Sequence, residues 1–357
     1  MYCSKIRNYG KIILAGLILN YVVCMLAAVL HGKYDLRVKE IPKPRLSSGY
    51  VMIKVELVGI CGTDKAFYKG TYSPLKLPII LGHELVGKVV EVGRGVPKDL
   101  IGQRVVTEIN IVCGKCWFCK EGLRTHCPYR KTIGISIDGG MAEYVAVPYE
   151  NIHIVNDLTP NMAIFVEPLA AVFRAFQIHP LPPGSSVAIL GVGNLGLLTL
   201  QLVKSYGASL VIPIYRRESV KTKLARKLGA DYVVTYDEAL KLAKELTPEG
   251  QGFDAVVEVT GSPEGLDLAL NLVRPRGIIY AKSTHGAPVS FNYTKAVVNE
   301  VQIVTSRCGP FPQAINALRK GIVKVDELIT GIYDLGDAVK AFEKALDKDS
   351  IKVALRP

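Results

Sequence analysis

The feature that most constrains the fold of this chain is the alternation of short apolar segments and amphipathic segments over residues 187–281. The apolar segments, which predict strands, are Val187–Leu190, Leu210–Ile214, Tyr232–Val234, Ala255–Val259 and Ile278–Ala281. The amphipathic segments between them, which predict helices, are Leu195–Tyr206, Val220–Leu228, Asp237–Leu246 and Pro263–Leu272. Strands that alternate with helices form βαβ units, so we expect an α/β fold with a doubly wound parallel sheet.

A glycine-rich turn follows the first of these strands. It consists of Gly191, Val192, Gly193, Asn194, Leu195 and Gly196. In the pattern G-x-G-x-x-G, the first glycine makes the tight bend, the second lets the backbone approach a pyrophosphate, and the third lets helix and strand pack closely. The pattern predicts a dinucleotide site, although similar turns also bind S-adenosylmethionine.

The residues about 20 positions beyond the last glycine indicate which nicotinamide cofactor binds. An acid there would bind the ribose 2′-hydroxyl of NAD, whereas this chain has Arg216 and Arg217, followed by Glu218. Two guanidinium groups suit a 2′-phosphate. We therefore expect NADP rather than NAD, and Glu218 would serve NAD only if the turn is shifted.

The remainder of the chain has a different pattern of apolar and polar residues. Residues 25–165 contain short alternating segments such as 51–58, which is typical of an all-β domain. After residue 308, helices are predicted near Pro312–Lys320 and Leu335–Asp347, and a last strand is predicted at Ile351–Leu355. We predict a β-rich catalytic domain over residues 25–167 and 309–357, and a nucleotide-binding domain over residues 168–308.

Residues 1–24 do not fit either domain. The segment Ile12–Leu30 is uncharged, approaches the length of a membrane span, and follows three basic residues. Its end, Leu26–Leu30, also reads as the first strand of a β domain. We interpret residues 1–24 as an extension upstream of a start at Met25, which leaves a cytoplasmic protein without a membrane partner. The alternative is an anchor or an export signal.

Composition narrows the possible functions. Of 357 residues, 49% are hydrophobic and 21% are charged, which excludes a protein with many membrane spans. The formal net charge is +12, but the 44 Lys and Arg residues are scattered among 32 acidic ones. We therefore expect no nucleic-acid partner, and we attribute the excess of positive charge to the binding of anionic cofactors or substrates.

Four cysteines are concentrated in one short segment. Cys113, Cys116, Cys119 and Cys127 are separated by two, two and seven residues. Four thiolates close a tetrahedral shell, which predicts a structural zinc ion without an open coordination position. An iron–sulfur cluster is the alternative, because C-x2-C-x2-C and Cys127-Pro128 are also found in ferredoxins, but there the last spacing is three.

Three further segments carry polar side chains of a second kind. They are Cys61-Gly62-Thr63-Asp64, Gly82-His83-Glu84 and Glu167-Pro168-Leu169. Thiolate, imidazole and carboxylate together suit a zinc ion that keeps one position open for a substrate. Asp64 can accept the second imidazole N–H of His83 and fix its tautomer. The spacing does not establish that these segments meet in space.

Taken in chain order from Met25 to Pro357, these segments resemble the zinc-dependent medium-chain dehydrogenase/reductase superfamily, which contains alcohol, polyol, sugar and threonine dehydrogenases. The resemblance implies a GroES-like β domain and a Rossmann domain, with the substrate and the nicotinamide meeting in the cleft. It also implies two zinc ions per chain, one catalytic and one structural, and a homo-oligomer, dimer or tetramer.

The same resemblance assigns roles to residues. Cys61, His83 and Glu167 look like the ligands of the catalytic zinc, Glu84 looks like an alternating or supporting ligand, and Thr63 looks like the start of a proton relay. Glutamate at position 167 is similar to the polyol, sugar and threonine branches, and the arginine pair is similar to archaeal glucose dehydrogenases that use NADP. The chain departs from classical alcohol dehydrogenases at Ala66, where their relay histidine would fall.

The resemblance implies an enzyme that transfers a hydride between an alcohol (a polyol, sugar or secondary alcohol) and a nicotinamide cofactor. Within the superfamily, the alternatives are a threonine-type dehydrogenase and a zinc-free type of alkene reductase. Outside enzymes, the alternative is a zinc-stabilised binding protein.

Overall fold

The computed structural model describes residues 23–357. The predicted extension over residues 1–24 therefore lies outside the described residues, except for Val23 and Cys24. The first strand begins at Cys24 and includes the predicted segment Leu26–Leu30. The carbonyl of Val23 accepts a hydrogen bond from the Lys43 backbone N–H at 2.8 Å.

Short strands dominate the first part of the described chain, as the alternating pattern predicts. They are β1 (Cys24–Gly32), β2 (Asp35–Pro42), β3 (Tyr50–Gly59), β4 (Ile79–Ile80), β5 (Glu84–Val92), β6 (Arg104–Thr107), β7 (Asn110–Ile111), β8 (Lys131–Thr132), β9 (Tyr144–Pro148) and β10 (Ile152–Ile154). One sheet has the order β2-β1-β4, and a second runs β10-β6-β5-β3, with β9 also paired to β3. The β3–β5 pairing places Gly59 opposite Glu84.

The second part of the chain forms a parallel sheet. Its strands are β11 (Ser186–Leu190), β12 (Leu210–Tyr215), β13 (Val234–Thr235), β14 (Phe253–Glu258), β15 (Val273–Ala281) and β16 (Gln302–Thr305). Their spatial order is β13-β12-β11-β14-β15-β16, and every neighbouring pair is parallel. This confirms the doubly wound α/β fold, and its strand order reverses between β11 and β14, where such sheets bind ligands.

Three details of this sheet differ from the prediction. The strand predicted to begin at Ile278 is β15, which begins at Val273. The third strand starts at Val234 instead of Tyr232, because the preceding Asp231 carboxylate takes the place of a strand partner. It accepts a 2.7 Å hydrogen bond from the Val211 backbone N–H. The sixth strand, β16, was not predicted, since it is short and polar residues occupy both of its ends.

The six helices predicted after residue 190 are found within a few residues of their predicted positions, whereas those at residues 62–69, 117–120, 160–163 and 293–298 were not predicted. Helices connect the strands throughout the described residues. They are α1 (Gly62–Lys69), α2 (Trp117–Lys120), α3 (Pro160–Ala163), α4 (Val166–Ile178), α5 (Asn194–Ser205), α6 (Val220–Lys227), α7 (Tyr236–Leu246), α8 (Gly265–Leu272), α9 (Tyr293–Val298), α10 (Phe311–Arg319) and α11 (Ala338–Leu346). Two begin later than predicted, at Gly265 and at Ala338; the latter follows a 3-10 turn over Leu335–Asp337.

One helical stretch in the described part of the chain, Pro160–Ile178, is long and apolar enough to cross a membrane, but 61% of it is buried inside the fold. It includes α4, whose residues Leu169 and Ala170 are fully buried. The same apolar core contains Val86 of β5 and Leu197 of α5. The apolar character of α4 therefore follows from its position between the two halves of the molecule.

The carboxyl-terminal strands return to the first part of the molecule. They are β17 (Ile329–Asp334) and β18 (Lys352–Arg356). β18 pairs antiparallel with β3, with Ala354 opposite Gly59, and it is parallel to β17. The last strand thus joins the β sheet, as its sequence predicts, and brings Lys352 close to the start of β5.

Candidate active site

Cys61 is held at the start of α1 by a local hydrogen bond. It occupies the N-cap position, and its backbone N–H donates to Asp64 Oδ2 at 2.9 Å. The Asp64 side chain is fully buried, and its other oxygen, Oδ1, has no hydrogen-bond partner. A buried carboxylate oxygen without a donor is costly, so its surroundings identify a place where a polar group is needed.

His83 is a polar group beside this oxygen. It precedes β5 and follows Gly82, whose φ of 92° favours glycine. A Cβ at Gly82 would lie 2.8 Å from side-chain atoms of both Met141 and Val58. The buried His83 Nδ1 lies 3.9 Å from Asp64 Oδ1 and has no hydrogen-bond partner. The two atoms are beyond hydrogen-bond distance, so the predicted role of Asp64, which would leave Nε2 for a metal ion, stays a prediction.

His83 interacts electrostatically with residues of two other segments that are distant from it in sequence. Burial lowers the pKa of His83, but the Cys61 thiolate and the Asp64 carboxylate outweigh burial and hold this pKa well above its usual value. The neighbouring Cys61 sulfur and, more weakly, the Glu167 carboxylate also favour the charged form of His83. Glu167 lies in the first turn of α4, where burial raises its pKa and His83 opposes that rise.

The donor types at Cys61, His83 and Glu167 fit zinc, whose usual ligands are thiolate, imidazole and carboxylate. Their arrangement is looser than a filled site. Among residues 23–357, the four-cysteine segment is the one set of three or more donors whose ligand atoms all lie within 4.8 Å of one another. Zinc binding at Cys61, His83 and Glu167 therefore requires their side chains to move closer together.

Glu84 has a different partner from these residues. Its carboxylate accepts a hydrogen bond from the Lys352 ammonium, and both side chains are almost fully buried. Gly59, opposite Glu84 on β3, leaves space for the Glu84 carboxylate, because a Cβ at position 59 would overlap Glu84 Oε2. Glu84 still acts electrostatically on Glu167. Glu84 thus forms an ion pair with Lys352 beside the group of Cys61, Asp64, His83 and Glu167, which we call the Cys61 cluster.

Thr63 lies in the first turn of α1 and is half-buried. It is two residues from Cys61 and therefore next to the cluster. Ala66 is one turn further along α1 and has no group that can bind a proton.

The four lobe cysteines form a second candidate site. Their Sγ atoms are separated by 3.5 Å for Cys116–Cys119, 3.8 Å for Cys116–Cys127 and 3.6 Å for Cys113–Cys127. A tetrahedron with zinc–sulfur bonds of about 2.3 Å has edges of about 3.8 Å, so the spacing fits zinc without rearrangement. Backbone N–H groups of Lys115 and Cys116 lower the pKa of Cys113 to about 6, which favours the thiolate form.

The glycine-rich turn lies at the carboxyl edge of the parallel sheet, between β11 and α5. A Cβ at Gly196 would overlap the Gly191 carbonyl oxygen, so this position admits only glycine. Asn194, the first residue of α5, has a buried Oδ1 without a hydrogen-bond partner. A free polar group and a helix N-terminus at this edge provide the environment that a pyrophosphate needs.

Glu258 was not predicted, although an acid at the end of an apolar strand is a signal for it. Its Oε1 accepts hydrogen bonds from the Thr260 backbone N–H at 2.8 Å and from Ser283 Oγ at 2.7 Å. Glu258 therefore ties the carboxyl end of β14 to the residues after β15, directly beside the glycine-rich turn.

The charged residues after β12 have separate environments. Arg216 and Arg217 are exposed, whereas Glu218 accepts hydrogen bonds from Thr222 Oγ1 at 2.6 Å and from Arg226 at 2.7 Å. These hydrogen bonds lower the pKa of Glu218 to about 2. The Glu218 carboxylate is thus already hydrogen-bonded by two residues of α6.

The two halves of the site face each other. Glu167 of α4 interacts electrostatically with Lys282 at the carboxyl edge of the parallel sheet. Lys221 of α6 repels Lys65 of α1, which contributes to lowering the pKa of Lys65. The Cys61 cluster therefore lies near the carboxyl edge of the parallel sheet, which spacing alone did not establish.

Two family models match the chain. The alcohol dehydrogenase GroES-like domain matches residues 47–157, and the zinc-binding dehydrogenase model matches residues 194–321. The first range contains Cys61, His83 and the four lobe cysteines, and the second begins within the glycine-rich turn, at Asn194. The fold and the family predicted from the motifs are thereby confirmed.

Relatives extend this match over nearly the whole chain. D-arabitol-phosphate dehydrogenase of Enterococcus avium is 37% identical over 87% of this chain and 91% of its own length. Sorbitol dehydrogenase of Halalkalibacterium halodurans is 32% identical over 92% and 97%. A zinc-binding dehydrogenase of Sinorhizobium meliloti 1021, solved with bound NADP, is 30% identical with a TM-score of 0.86, covering 94% of this chain and 100% of that one. The chain therefore belongs to the zinc-dependent medium-chain dehydrogenases, and it is an oxidoreductase that acts on alcohols or polyols with zinc and a nicotinamide cofactor.

Proposed function

We propose that the protein oxidises a secondary alcohol group of a polyol with NADP⁺, at a zinc ion held by Cys61, His83 and Glu167. The observation that carries this proposal is the buried group of Cys61, His83 and Asp64, with its two unpaired polar atoms, on one wall of a cleft whose other wall carries the nucleotide turn. A threonine-type reaction uses the same centre and differs in its substrate.

Different residues of the chain support different steps of the proposed reaction. A zinc ion supplies Lewis acidity, which lowers the pKa of a hydroxyl in contact with it. The half-buried Thr63 hydroxyl is next to this centre and receives the proton that the substrate loses. Because Ala66 offers no imidazole, the Thr63 hydroxyl gives its own proton to solvent water as it accepts the proton of the substrate. The glycine-rich turn holds the cofactor, so that hydride transfer becomes effectively intramolecular.

Asp64 and Lys352 support this arrangement without touching the substrate. Asp64 holds His83 in the tautomer that leaves Nε2 free for the metal ion. Lys352 holds the Glu84 carboxylate beside the centre, where it can replace Glu167 as a ligand only when this ion pair opens.

The preference for NADP rests on the residues after β12. Arg216 and Arg217 are exposed beside the expected adenosine ribose, and the nearest acid, Glu218, is engaged by Thr222 and Arg226. A 2′-phosphate thus meets two cations, whereas a 2′-hydroxyl meets no free carboxylate. Two zinc ions per chain follow from the two donor sets, one with an open position and one closed by four thiolates.

An exposed sheet edge supports the proposed homo-oligomer. Within residues 23–357, β16 pairs only with β15, so its other edge is open. The neighbouring Val298 is 73% exposed, and Tyr293 is 71% exposed. An open edge beside apolar residues favours pairing with a second copy. The cytoplasmic location stays a prediction.

The test is a substrate panel with metal analysis on the full chain. We expect about two zinc ions per chain, reduction of NADP⁺ in preference to NAD⁺, and faster turnover with sorbitol or arabitol than with threonine. One zinc ion per chain together with activity on activated alkenes would instead identify an alkene reductase. Cofactor binding without turnover of any alcohol would identify a binding protein.

A further inference from the structure

A buried lysine lies in the cleft and has no role in the proposed mechanism. Lys282 directly follows β15 and is 9% exposed. Its backbone N–H donates to the Glu258 carbonyl at 3.0 Å, and the next residue, Ser283, donates to the Glu258 carboxylate. The position of Lys282 is therefore fixed by the same residue that ties β14 to β15.

The hydrogen bonds of Lys282 leave one donor unused. Its Nζ donates to the Ser306 carbonyl at 3.0 Å and to Ser306 Oγ at 2.8 Å. An ammonium group has three N–H donors, and both of these acceptors are neutral. Among the described residues, no carboxylate lies within ion-pair distance of Lys282. A buried ammonium with only neutral partners is energetically costly unless an anion joins it.

The charge balance at the centre points to the origin of that anion. Glu167 and Cys308 attract Lys282 electrostatically. A divalent zinc ion would match the charges of Cys61 and Glu167, so the Glu167 carboxylate would no longer be available to balance the charge of Lys282. Burial lowers the pKa of Lys282 to about 8, so the side chain still carries its proton at neutral pH. An anionic group in the cleft would complete the balance.

We propose that Lys282 binds an oxyanion of the substrate, so that the preferred substrate is a polyol bearing a phosphate or a carboxylate group. The inference rests on the proposed function and names its substrate class. Arg307 supports it: this exposed residue follows Ser306 directly, and in the part of the chain that the structure describes it has neither an ion pair nor a side-chain hydrogen bond. Lys282 would bind the anion inside the cleft, and Arg307 would attract it from the solvent side.

The experiment compares three substrate types on the full chain and on Lys282→Met. The substrates are a neutral pentitol, its phosphate monoester and the corresponding sugar acid, which separate phosphate from carboxylate as the source of the anion. Loss of a charged hydrogen bond should reduce kcat/KM for the preferred anionic substrate about 10- to 100-fold, mostly through KM. The rate with the neutral pentitol should change less than about twofold, because it does not bind the ammonium.

Matched controls keep the result specific. Lys320→Met removes the same charge from an exposed position after α10. It should change neither the ratio of kcat/KM for the phosphate monoester to that for the pentitol nor the corresponding ratio for the sugar acid. Lys282→Arg should retain part of the preference, since it keeps the charge. Zinc content and melting temperature are measured on every variant, so that misfolding is recognised.

Two outcomes would overturn the inference. One is a wild-type preference for the neutral pentitol over both anionic forms, and the other is an equal loss on all three substrates in Lys282→Met. If the full chain oxidises none of them, the proposed function fails, and calorimetric binding of the phosphate and the sugar acid with NADP⁺ bound then decides the role of Lys282. Binding of neither compound, or equal binding to wild type and Lys282→Met, would then contradict it.

Discussion

Single side chains with the same chemistry have different roles in this protein because their surroundings differ. Cys61 caps a helix beside a buried histidine and faces a cleft, whereas Cys116 is surrounded by three other thiols on a lobe. Both offer sulfur to zinc. At the scale of the residue, the difference is whether a coordination position stays open for a substrate.

Substitution of Cys61 tests the assigned catalytic centre. Cys61→Ser should reduce kcat by more than about 100-fold, because loss of a direct ligand exceeds the effect of losing a supporting residue. Folding should be largely intact, since the backbone N–H that bonds Asp64 remains. Initial rates and a melting curve measure both effects. Activity close to that of wild type would remove Cys61 from the zinc site.

Substitution of Arg216 tests the cofactor preference. Arg216→Ala should raise KM for NADP⁺ about 10- to 100-fold, the effect of losing a charged hydrogen bond, and leave KM for NAD⁺ nearly unchanged. Arg94→Ala, at an exposed arginine of the β domain, is the matched control. A parallel rise for both cofactors would show that Arg216 does not contact the 2′-phosphate.

At the scale of the element, the cysteine lobe is a small unit with little apolar core of its own. Trp117 is 62% exposed and Tyr129 is 72% exposed, and α2 contains no buried residue. A segment of this kind gains little stability from burial, so the metal ion must hold it together.

Cys116→Ser should therefore lower the melting temperature by several degrees while much of the activity is retained. Depleting the wild-type chain of zinc with a strong chelator should lower it in the same way. Differential scanning calorimetry and rates per folded chain measure the two effects. If Cys116→Ser and Cys61→Ser show similar melting losses and equal residual activity, the two sites do not have separate roles.

The ion pair of Glu84 and Lys352 joins β5 to β18 across β3. Removing one partner leaves a buried charge, so Lys352→Met should destabilise the fold by about 3–5 kcal/mol. The double variant Lys352→Met with Glu84→Gln removes both charges and should recover a large part of that loss. Urea unfolding measures the stability of each. Equal stability of the single variant and wild type would show that the pair contributes nothing.

At the scale of the whole molecule, two folding units meet along a cleft, and the parallel sheet ends in the open strand β16. Exposed apolar side chains beside this edge favour a symmetric pair of subunits, because the same edge occurs on both copies. Pairing there would extend the sheet away from the cleft.

Val298→Glu should therefore shift the protein toward the monomer, because a charge enters an apolar contact. Light scattering coupled to size-exclusion chromatography measures the mass. Val339→Glu, at another exposed valine in α11, is the control and should leave the assembly unchanged. A monomeric wild type would contradict the proposed oligomer.

Sequence patterns predicted most where the relevant residues are close together along the chain. The four lobe cysteines lie within fifteen consecutive residues, and zinc accepts few other arrangements of four sulfurs. The glycine-rich turn lies between a predicted strand and a predicted helix, so its context could be read along the chain. The strand at Tyr232 failed because a side chain, Asp231, supplied the hydrogen bond that a pattern of apolar residues assigns to the backbone.

Residue types and short spacings in the sequence were sufficient to predict the family, the four-cysteine segment and the glycine-rich turn, since each depends on neighbouring positions. The pairing of Glu84 with Lys352, 268 residues away, and the proximity of Glu167 to Lys282, which influence each other electrostatically without forming an ion pair, depend on how strands return to a sheet. No local pattern encodes those contacts, because they arise from the packing of segments that are far apart along the chain.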